Sequence, residues 1–141
     1  MNNLSASLED YLEIICNLIE ESGCVKAVEI AKKLNISRAS VSEALAKLAE
    51  KELIIYEGHK GIIITEKGKT RAKEVILKHN TLTDFFENIL GADKETAESN
   101  ACKIEHVISE DVFTRIEKYN EYCKANISFV ENFKKGYKGK H

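Results

Sequence analysis

Residues 26–48 constrain the fold more than any other stretch, because several positions must each meet a different steric demand. Two apolar patterns at helical spacing flank Asn35, a residue type that tolerates the left-handed conformation of a tight turn. The small Ala31 allows close helix approach, the branched Val41 fixes the crossing, and Ser37 is a good N-cap for the second helix. This pattern predicts a helix-turn-helix, with an ordinary helical hairpin as the alternative. The positions expected to be buried are Ile30, Ala31, Leu34, Ile36 beneath the turn, Val41, Ala44, Leu45 and Leu48.

The segments on either side of this motif extend it into a winged helix. Apolar residues at helical spacing predict an amphipathic helix over about 5–21, which Gly23 ends. Residues 53–57 and 62–65 are β-branched and apolar around a glycine-bounded turn, which predicts a β-hairpin. A hairpin directly after a recognition helix is a wing, and its tip would carry His59 and Lys60, which suit phosphate contact.

The rest of the chain is predicted to be helical. A long helix should run from about 65 to about Leu90, where Gly91 stops it, and Asp93 and Ser109 should cap the next two helices. A last helix is expected at about 124–135. The apolar stripes of the last two helices are Val112, Phe113, Ile116 and Tyr119, then Ile127, Val130 and Phe133. The fold class is therefore mainly α, with a winged helix-turn-helix domain at 1–72 and an all-helical domain at 73–141.

Composition and charge narrow the range of functions. The chain has 31% charged and 43% hydrophobic residues, no membrane-length apolar run and no signal-like start, so we expect a cytoplasmic protein. Its four cysteines form no C-x-x-C pair, which favours free thiols. Residues 59–79 hold six Lys or Arg against two acids, whereas residues 84–111 hold eight acids against two lysines. This asymmetry predicts one surface for a polyanion and a separate one for a cation.

The stretch 98–106 gathers potential metal ligands. On a helix, Glu98, Cys102 and Glu105 lie within roughly 60° of one another, and His106 lies slightly further round. A thiol, carboxylates and an imidazole together suit a borderline transition metal such as Fe(II), Mn(II), Co(II) or Zn(II). The alternative is a core-facing cysteine beside a solvated glutamate and histidine.

The order of these elements resembles the diphtheria-toxin-repressor family of metal-dependent transcriptional repressors. The most specific segments are Ile104-Glu105-His106-Val107-Ile108-Ser109, Thr65-Glu66-Lys67-Gly68-Lys69 and Lys78-His79. The length of the chain is similar to that of the short, two-domain members of the family, which include the manganese transport regulators. The resemblance implies a homodimer that binds a double-stranded DNA operator and represses metal-homeostasis genes. It implies neither an enzyme nor a membrane partner nor a small-molecule substrate.

The resemblance also assigns metal ligands. Cys102, Glu105 and His106 match core ligands, and His79, which by itself could be an ordinary core histidine, matches a ligand on the linking helix. Asp10 and Glu13, which alone could be solvated acids, match the acids of the manganese branch, whereas Cys102 follows the iron branch. Glu98 and Thr83 stand where iron-branch members place a second-site histidine and glutamate. This mixed pattern narrowly favours Fe(II) over Mn(II), with Co(II), Ni(II) or Zn(II) as surrogates.

The start of the second helix of the motif should face the major groove of DNA. The residues expected there are Ser37, Arg38, Ala39, Ser40, Ser42 and Glu43, and those expected to contact phosphate are Lys47, Lys60 and Lys67. A winged-helix regulator that metal does not gate is the first alternative function. A metalloenzyme is the second, because a mixed Cys, His and Glu site can activate water.

Overall fold

The computed structural model describes residues 5–57 and 60–138, so the predicted wing-tip residue His59 lies outside the described residues. The chain divides into two compact units, Met1–Val75 and Ile76–His141. Of the described helices, none is long and apolar enough to cross a membrane. In chain order the elements are α1 (Ala6–Ser22), α2 (Ala27–Leu34), α3 (Arg38–Glu50), β1 (Ile54–Tyr56), β2 (Ile62–Ile64), α4 (Glu66–Asp84), a π-helical turn (Phe85–Ile89), α5 (Lys94–Ile104), α6 (Glu110–Ala125) and α7 (Ile127–Lys138).

The first unit contains the predicted helix-turn-helix. Asn35 ends α2 in the left-handed region at φ 54°, and the Ser37 hydroxyl caps α3 by accepting from the Ser40 N–H. Gly23 ends α1 at φ 80°, also as predicted. The interior of this unit is apolar, and its largest fully buried side chains are Leu12, Ile15, Val25, Ile30, Val41, Leu45, Leu48 and Ile54.

Of the predicted core positions of the motif, Leu34 is only half-buried and Ile36 was wrong. Ile36 is 37% exposed, so it does not plug the space beneath the turn. Its N–H instead donates to the Ala31 carbonyl over 3.1 Å. The turn is therefore held by backbone hydrogen bonds and by the conformation of Asn35, and it does not need an apolar side chain beneath it.

The wing is anchored at its base by a threonine and a glycine. β1 and β2 pair antiparallel with Ile54 opposite Ile64. The Thr65 hydroxyl donates to the Leu53 carbonyl over 2.9 Å and accepts from the Gly68 N–H over 3.0 Å, so it joins the hairpin to the first turn of α4. A Cβ on Gly68 would lie 2.8 Å from Ile64 Cγ1 and overlap the Leu53 carbonyl. Only glycine therefore allows α4 to pack this closely on the wing.

The second unit departs from a regular helix where α4 ends. The sequence predicted an α-helix to about Leu90, but α4 stops at Asp84 and the chain continues through the π-helical turn. The Leu90 N–H donates to the Phe85 carbonyl over 2.9 Å, and Gly91 then reverses the chain at φ 83°. A π turn inserts one residue without changing the apolar composition, so periodicity alone did not detect it.

The apolar stripes predicted on the last two helices are only partly buried. Phe113 and Val130 are buried, and Cys123 and Ile89 join Val130 in a small core against which Phe85 packs. The other residues of these two stripes are exposed to solvent, except Ile116, which is half-buried. The exposed ones are Val112, Tyr119, Ile127 and Phe133, next to the equally exposed Tyr122 and Phe129.

Candidate metal centre

The short helix α5 and the turn after it carry three of the predicted ligands. Asp93 caps α5 by accepting from the Thr96 N–H over 2.9 Å, and Ala97 and Ala101 bury one face. The helix ends at Ile104. Glu105 keeps helical angles, φ −54° and ψ −28°, whereas His106 lies in the turn that follows. The helical spacing used for the prediction therefore holds for Cys102 and Glu105 but not for His106.

Glu105 is the centre of the cluster. Its side chain is 0% exposed, and its Oε2 lies 2.8 Å from Nδ1 of His79 on α4. Its Oε1 lies 3.4 Å from Nε2 of His106, but that contact does not have the geometry of a hydrogen bond. Within the part of the chain that the structure describes, no group donates a hydrogen bond to Oε1. A buried carboxylate thus faces two imidazoles with one oxygen unsatisfied.

Cys102 completes a three-residue cluster within the second unit. Its Sγ lies 3.8 Å from His79 Nδ1, and the ligand atoms of His79, Cys102 and Glu105 all lie within 4.8 Å of one another. Ligand atoms about 2.0–2.3 Å from a transition-metal ion are about 3–4 Å from each other, so a small inward movement would suit the cluster to such an ion. Cys102 is exposed, so the thiol side of the cluster opens to solvent.

The other predicted ligands stand apart from this cluster or belong to the other unit. Glu98 is exposed on α5, and it is in no compact group of ligand atoms found among the described residues. Asp10 and Glu13 lie on α1 in the first unit, the former exposed and the latter half-buried. Their assignment as ligands stays a prediction from the resemblance. Thr83, which the resemblance places at a second-site position, carries a buried hydroxyl that has no hydrogen bond among the described residues.

The predicted DNA-contacting helix presents a polar face to solvent. Every residue from Ser37 to Glu43 is exposed except Val41, which is buried in the first unit. The Ser37 hydroxyl donates to Ser40 Oγ over 3.0 Å while it caps the helix, so it already has partners. Glu43 lies 3.4 Å from Lys47, which offsets its negative charge near a polyanion.

Lysines line a cleft beside this helix. The cleft has a volume of about 330 Å³ and is lined by Lys47, Glu50, Lys51, Glu52 and Lys67. The Lys67 ammonium donates to the Lys51 carbonyl over 3.1 Å, which holds the Lys67 side chain against the end of α3. Lys51, at the end of α3, was not among the residues predicted from the sequence to contact phosphate. Lys60, on the wing, lies 3.8 Å from Glu57.

Comparisons with known proteins match both the N-terminal and the C-terminal part of the chain. Two protein-family models match the chain. Residues 3–62 match the iron dependent repressor, N-terminal DNA binding domain, and residues 65–127 match the iron dependent repressor, metal binding and dimerisation domain. The HTH-type transcriptional regulator MntR of Bacillus subtilis is 36% identical over 120 residues, which are 85% of this chain and 84% of that protein. The chain belongs to the iron-dependent repressor family. This is the diphtheria-toxin-repressor family that the sequence resembles.

Two further relatives cover most of this iron-dependent repressor. An uncharacterized HTH-type transcriptional regulator of Methanocaldococcus jannaschii is 38% identical over 125 residues, 88% of this chain and 100% of that protein. The solved structure of a manganese-dependent transcriptional repressor in complex with manganese superposes with a TM-score of 0.74 at 26% identity. It covers 82% of this chain, and this chain spans about half (53%) of that one.

Membership confirms the predicted fold class and the general function. The chain is a metal-responsive, DNA-binding transcriptional repressor of metal homeostasis, with an N-terminal winged helix-turn-helix domain and a helical C-terminal domain. Members of the family bind DNA through the N-terminal domain and dimerise through the C-terminal domain. They are repressors rather than enzymes. The identity of the metal, its ligands and the residues that contact DNA are separate questions.

Proposed function

We propose that Fe(II) or Mn(II), held by His79, Cys102, Glu105 and His106, switches this repressor into its operator-binding state. The observation that carries the proposal is the Glu105 carboxylate, wholly buried with Oε1 unsatisfied and with a histidine nitrogen near each oxygen. A buried carboxylate is costly unless a cation or hydrogen bonds satisfy it. A divalent ion would satisfy both oxygens.

The contact between Glu105 and His79 also explains how metal would compete with protons. A proton on His79 Nδ1 lets that nitrogen donate to Glu105 Oε2 over 2.8 Å. A metal ion at this nitrogen would require Nδ1 to carry no proton and the Cys102 thiol to be deprotonated, so binding would release the thiol proton and, from an imidazolium, one ring proton. Metal affinity should therefore weaken as pH falls.

Cys102 is the residue that bears on metal choice. A thiolate favours Fe(II), Co(II) or Zn(II) over Mn(II), because Mn(II) prefers harder oxygen ligands. The similar solved structure is a manganese-dependent repressor in complex with manganese. We propose that this site accepts both ions, with Cys102 shifting the preference towards Fe(II) and Co(II), Ni(II) or Zn(II) serving as surrogates.

Ligands from the first unit would couple metal to DNA. Following the family resemblance, we propose that Asp10 and Glu13 on α1 add oxygen ligands, and we retain Glu98 as a candidate for a second ion. An ion bound by residues of both units would restrict the orientation of the DNA-binding unit. In a homodimer, this would favour the arrangement in which two recognition helices read half-sites about 34 Å apart.

The exposed apolar side chains of the second unit supply a dimer surface in this proposal. Tyr119, Tyr122, Phe129 and Phe133 are at least 41% exposed, which is unusual for aromatic side chains in an isolated subunit. The DNA-binding surface would be the predicted helix face with Ser37, Arg38, Ala39, Ser40, Ser42 and Glu43, and the phosphate contacts would be Lys47, Lys60 and Lys67.

An anaerobic binding experiment tests this function. An operator is selected from a random double-stranded DNA pool, and its binding is measured in chelator and then with Fe(II), Mn(II) or Zn(II) added back. We expect little binding in chelator and at least tenfold tighter binding with metal. Equal binding in both conditions would support the alternative, a winged-helix regulator that metal does not gate.

Four variants assign the ligands, in the same assay and in a measurement of bound metal per subunit. C102E should shift the preference from Fe(II) towards Mn(II), because it replaces a soft donor with a hard one. D10A and E13A should lower metal response without unfolding the second unit. E98Q should leave the first ion unaffected, and a loss of half the bound metal in E98Q would assign Glu98 to a second ion.

A further inference from the structure

Lys78 forms a contact between α4 and α6 that the metal ligands do not use. Its ammonium lies 2.5 Å from Glu110 Oε1 and 5.8 Å from the centroid of the Phe113 ring. The lysine side chain is only 20% exposed and Phe113 is buried, so the ammonium sits between a carboxylate and an aromatic face. Such a position combines an ion pair with a cation–π contact.

The location of this contact links it to the candidate metal centre. Lys78 immediately precedes His79 on α4, and Glu110 is the first residue of α6. The five residues between α5 and α6 include Glu105 and His106. We call these residues, 105–109, the connector. Its conformation at the α5 end is fixed by the Val107 and Ile108 N–H groups, which both donate to the Ile104 carbonyl over 3.0 Å.

The other end of the connector is fixed by Ser109 and Lys78 together. The Ser109 hydroxyl accepts from the Val112 N–H over 3.3 Å and so defines the start of α6. The ion pair then ties that start to α4, one residue away from His79. Further along α6, the Asn120 amide donates to the Thr81 carbonyl of α4 over 3.1 Å, so the Lys78 ion pair is the contact that fixes the first turn of α6, next to the connector.

We propose that Lys78 is a positioning residue that pre-forms the metal centre before metal arrives. It would do so by holding the start of α6 against α4, which keeps the carboxylate of Glu105 beside the imidazole of His79. This inference rests on the proposed metal site. Metal ligands depend on such outer contacts, whose loss typically weakens metal binding about 10- to 100-fold.

The test compares K78M, K78R and E110Q with wild type. Methionine keeps the aliphatic length of lysine but removes the charge, whereas arginine keeps the charge and can still stack on Phe113. K118M is the matched control, because Lys118 is an exposed lysine on α6 outside this contact. Co(II) affinity is measured by its visible spectrum, and hydrogen exchange of residues 104–110 is measured in the metal-free protein.

We expect K78M to bind Co(II) about tenfold more weakly and to exchange residues 104–110 faster in the metal-free state. K78R should restore both properties, E110Q should resemble K78M, and K118M should resemble wild type. A K78M protein with wild-type exchange and with Co(II) affinity within twofold of wild type would overturn the inference. If wild type itself binds no Co(II), the proposed function fails, and the exchange of residues 104–110 alone decides the inference.

Discussion

The two units of this repressor use their apolar residues in opposite ways. Among the described residues, the first unit buries nineteen hydrophobic side chains and exposes four large ones, whereas the second buries seven and exposes ten. Both buried polar residues found in the described chain, Glu105 and Asn120, lie in the second unit. The first unit is thus built to be stable as a DNA-reading module, and the second keeps surface and polar groups available for partners.

Removing the central carboxylate should have the largest effect. E105Q keeps the shape of the side chain but removes the charge that faces both imidazoles, so we expect Co(II) affinity to fall about 100-fold or more. Isothermal titration of the metal-free protein measures this. E95Q changes an exposed glutamate on α5, the helix that precedes Glu105, and serves as the control. Wild-type affinity in E105Q would show that the buried carboxylate is structural only.

Truncating one apolar side chain in each unit sharpens the comparison. L48A removes a fully buried side chain from the first unit and should lower the free energy of unfolding by about 2–5 kcal/mol. F133A removes a half-exposed ring from the second unit, so it should cost the subunit little but weaken the dimer about tenfold. Urea unfolding and sedimentation equilibrium separate the two effects. A monomer–dimer constant unchanged in F133A would remove Phe133 from the interface.

Two glycines, one in each unit, should respond to alanine substitution with smaller and opposite changes in stability. G68A places a Cβ against the Leu53 carbonyl at the base of the wing, and we expect a loss of about 1–3 kcal/mol. Nothing lies within 4 Å of a Cβ built on Gly136 in α7, so G136A should raise stability by up to about 1 kcal/mol. Thermal unfolding of both variants measures this, and equal effects at the two positions would contradict the packing described for Gly68.

The smallest effect concerns pH and a helix cap. The N–H and hydroxyl of Thr96 lower the pKa of Asp93 below its ordinary value of 3.8. A carboxyl whose pKa is lowered by folding stabilises the fold above that ordinary value, and this contribution disappears as pH falls through the lower folded value. The stability difference between wild type and D93N should therefore be constant from pH 7 to 5 and shrink below pH 3.8. A difference that grows in acid would contradict this. The Ser5 and Ser37 caps of the first unit carry no such charge.

The first unit was largely predictable from the sequence, for a physical reason. Its core is apolar and its turns use residues with strong conformational preferences, so Asn35, Ser37 and Gly23 each specified a boundary that the structure confirms. Ile36 was the exception, because backbone hydrogen bonds took the role assigned to its side chain.

The second unit was predictable in its helix caps but not in its details. Asp93 and Ser109 cap α5 and α6 as expected. The π-helical turn and the buried Asn120, whose amide donates to the Thr81 carbonyl over 3.1 Å, leave no trace in apolar periodicity. The pairing of His79 with Glu105 joins residues 26 positions apart. Helical spacing on α5 alone could not place them together, and only the family resemblance suggested it.

Metal binding and operator binding are coupled in the proposed mechanism, and thermodynamic linkage tests this coupling most directly. If metal tightens operator binding by a given factor, the operator must tighten metal binding by the same factor. Co(II) affinity is therefore measured anaerobically with and without saturating operator DNA. We predict at least a tenfold higher affinity with operator, matched by the factor for DNA. Identical Co(II) affinities in both conditions would contradict the account.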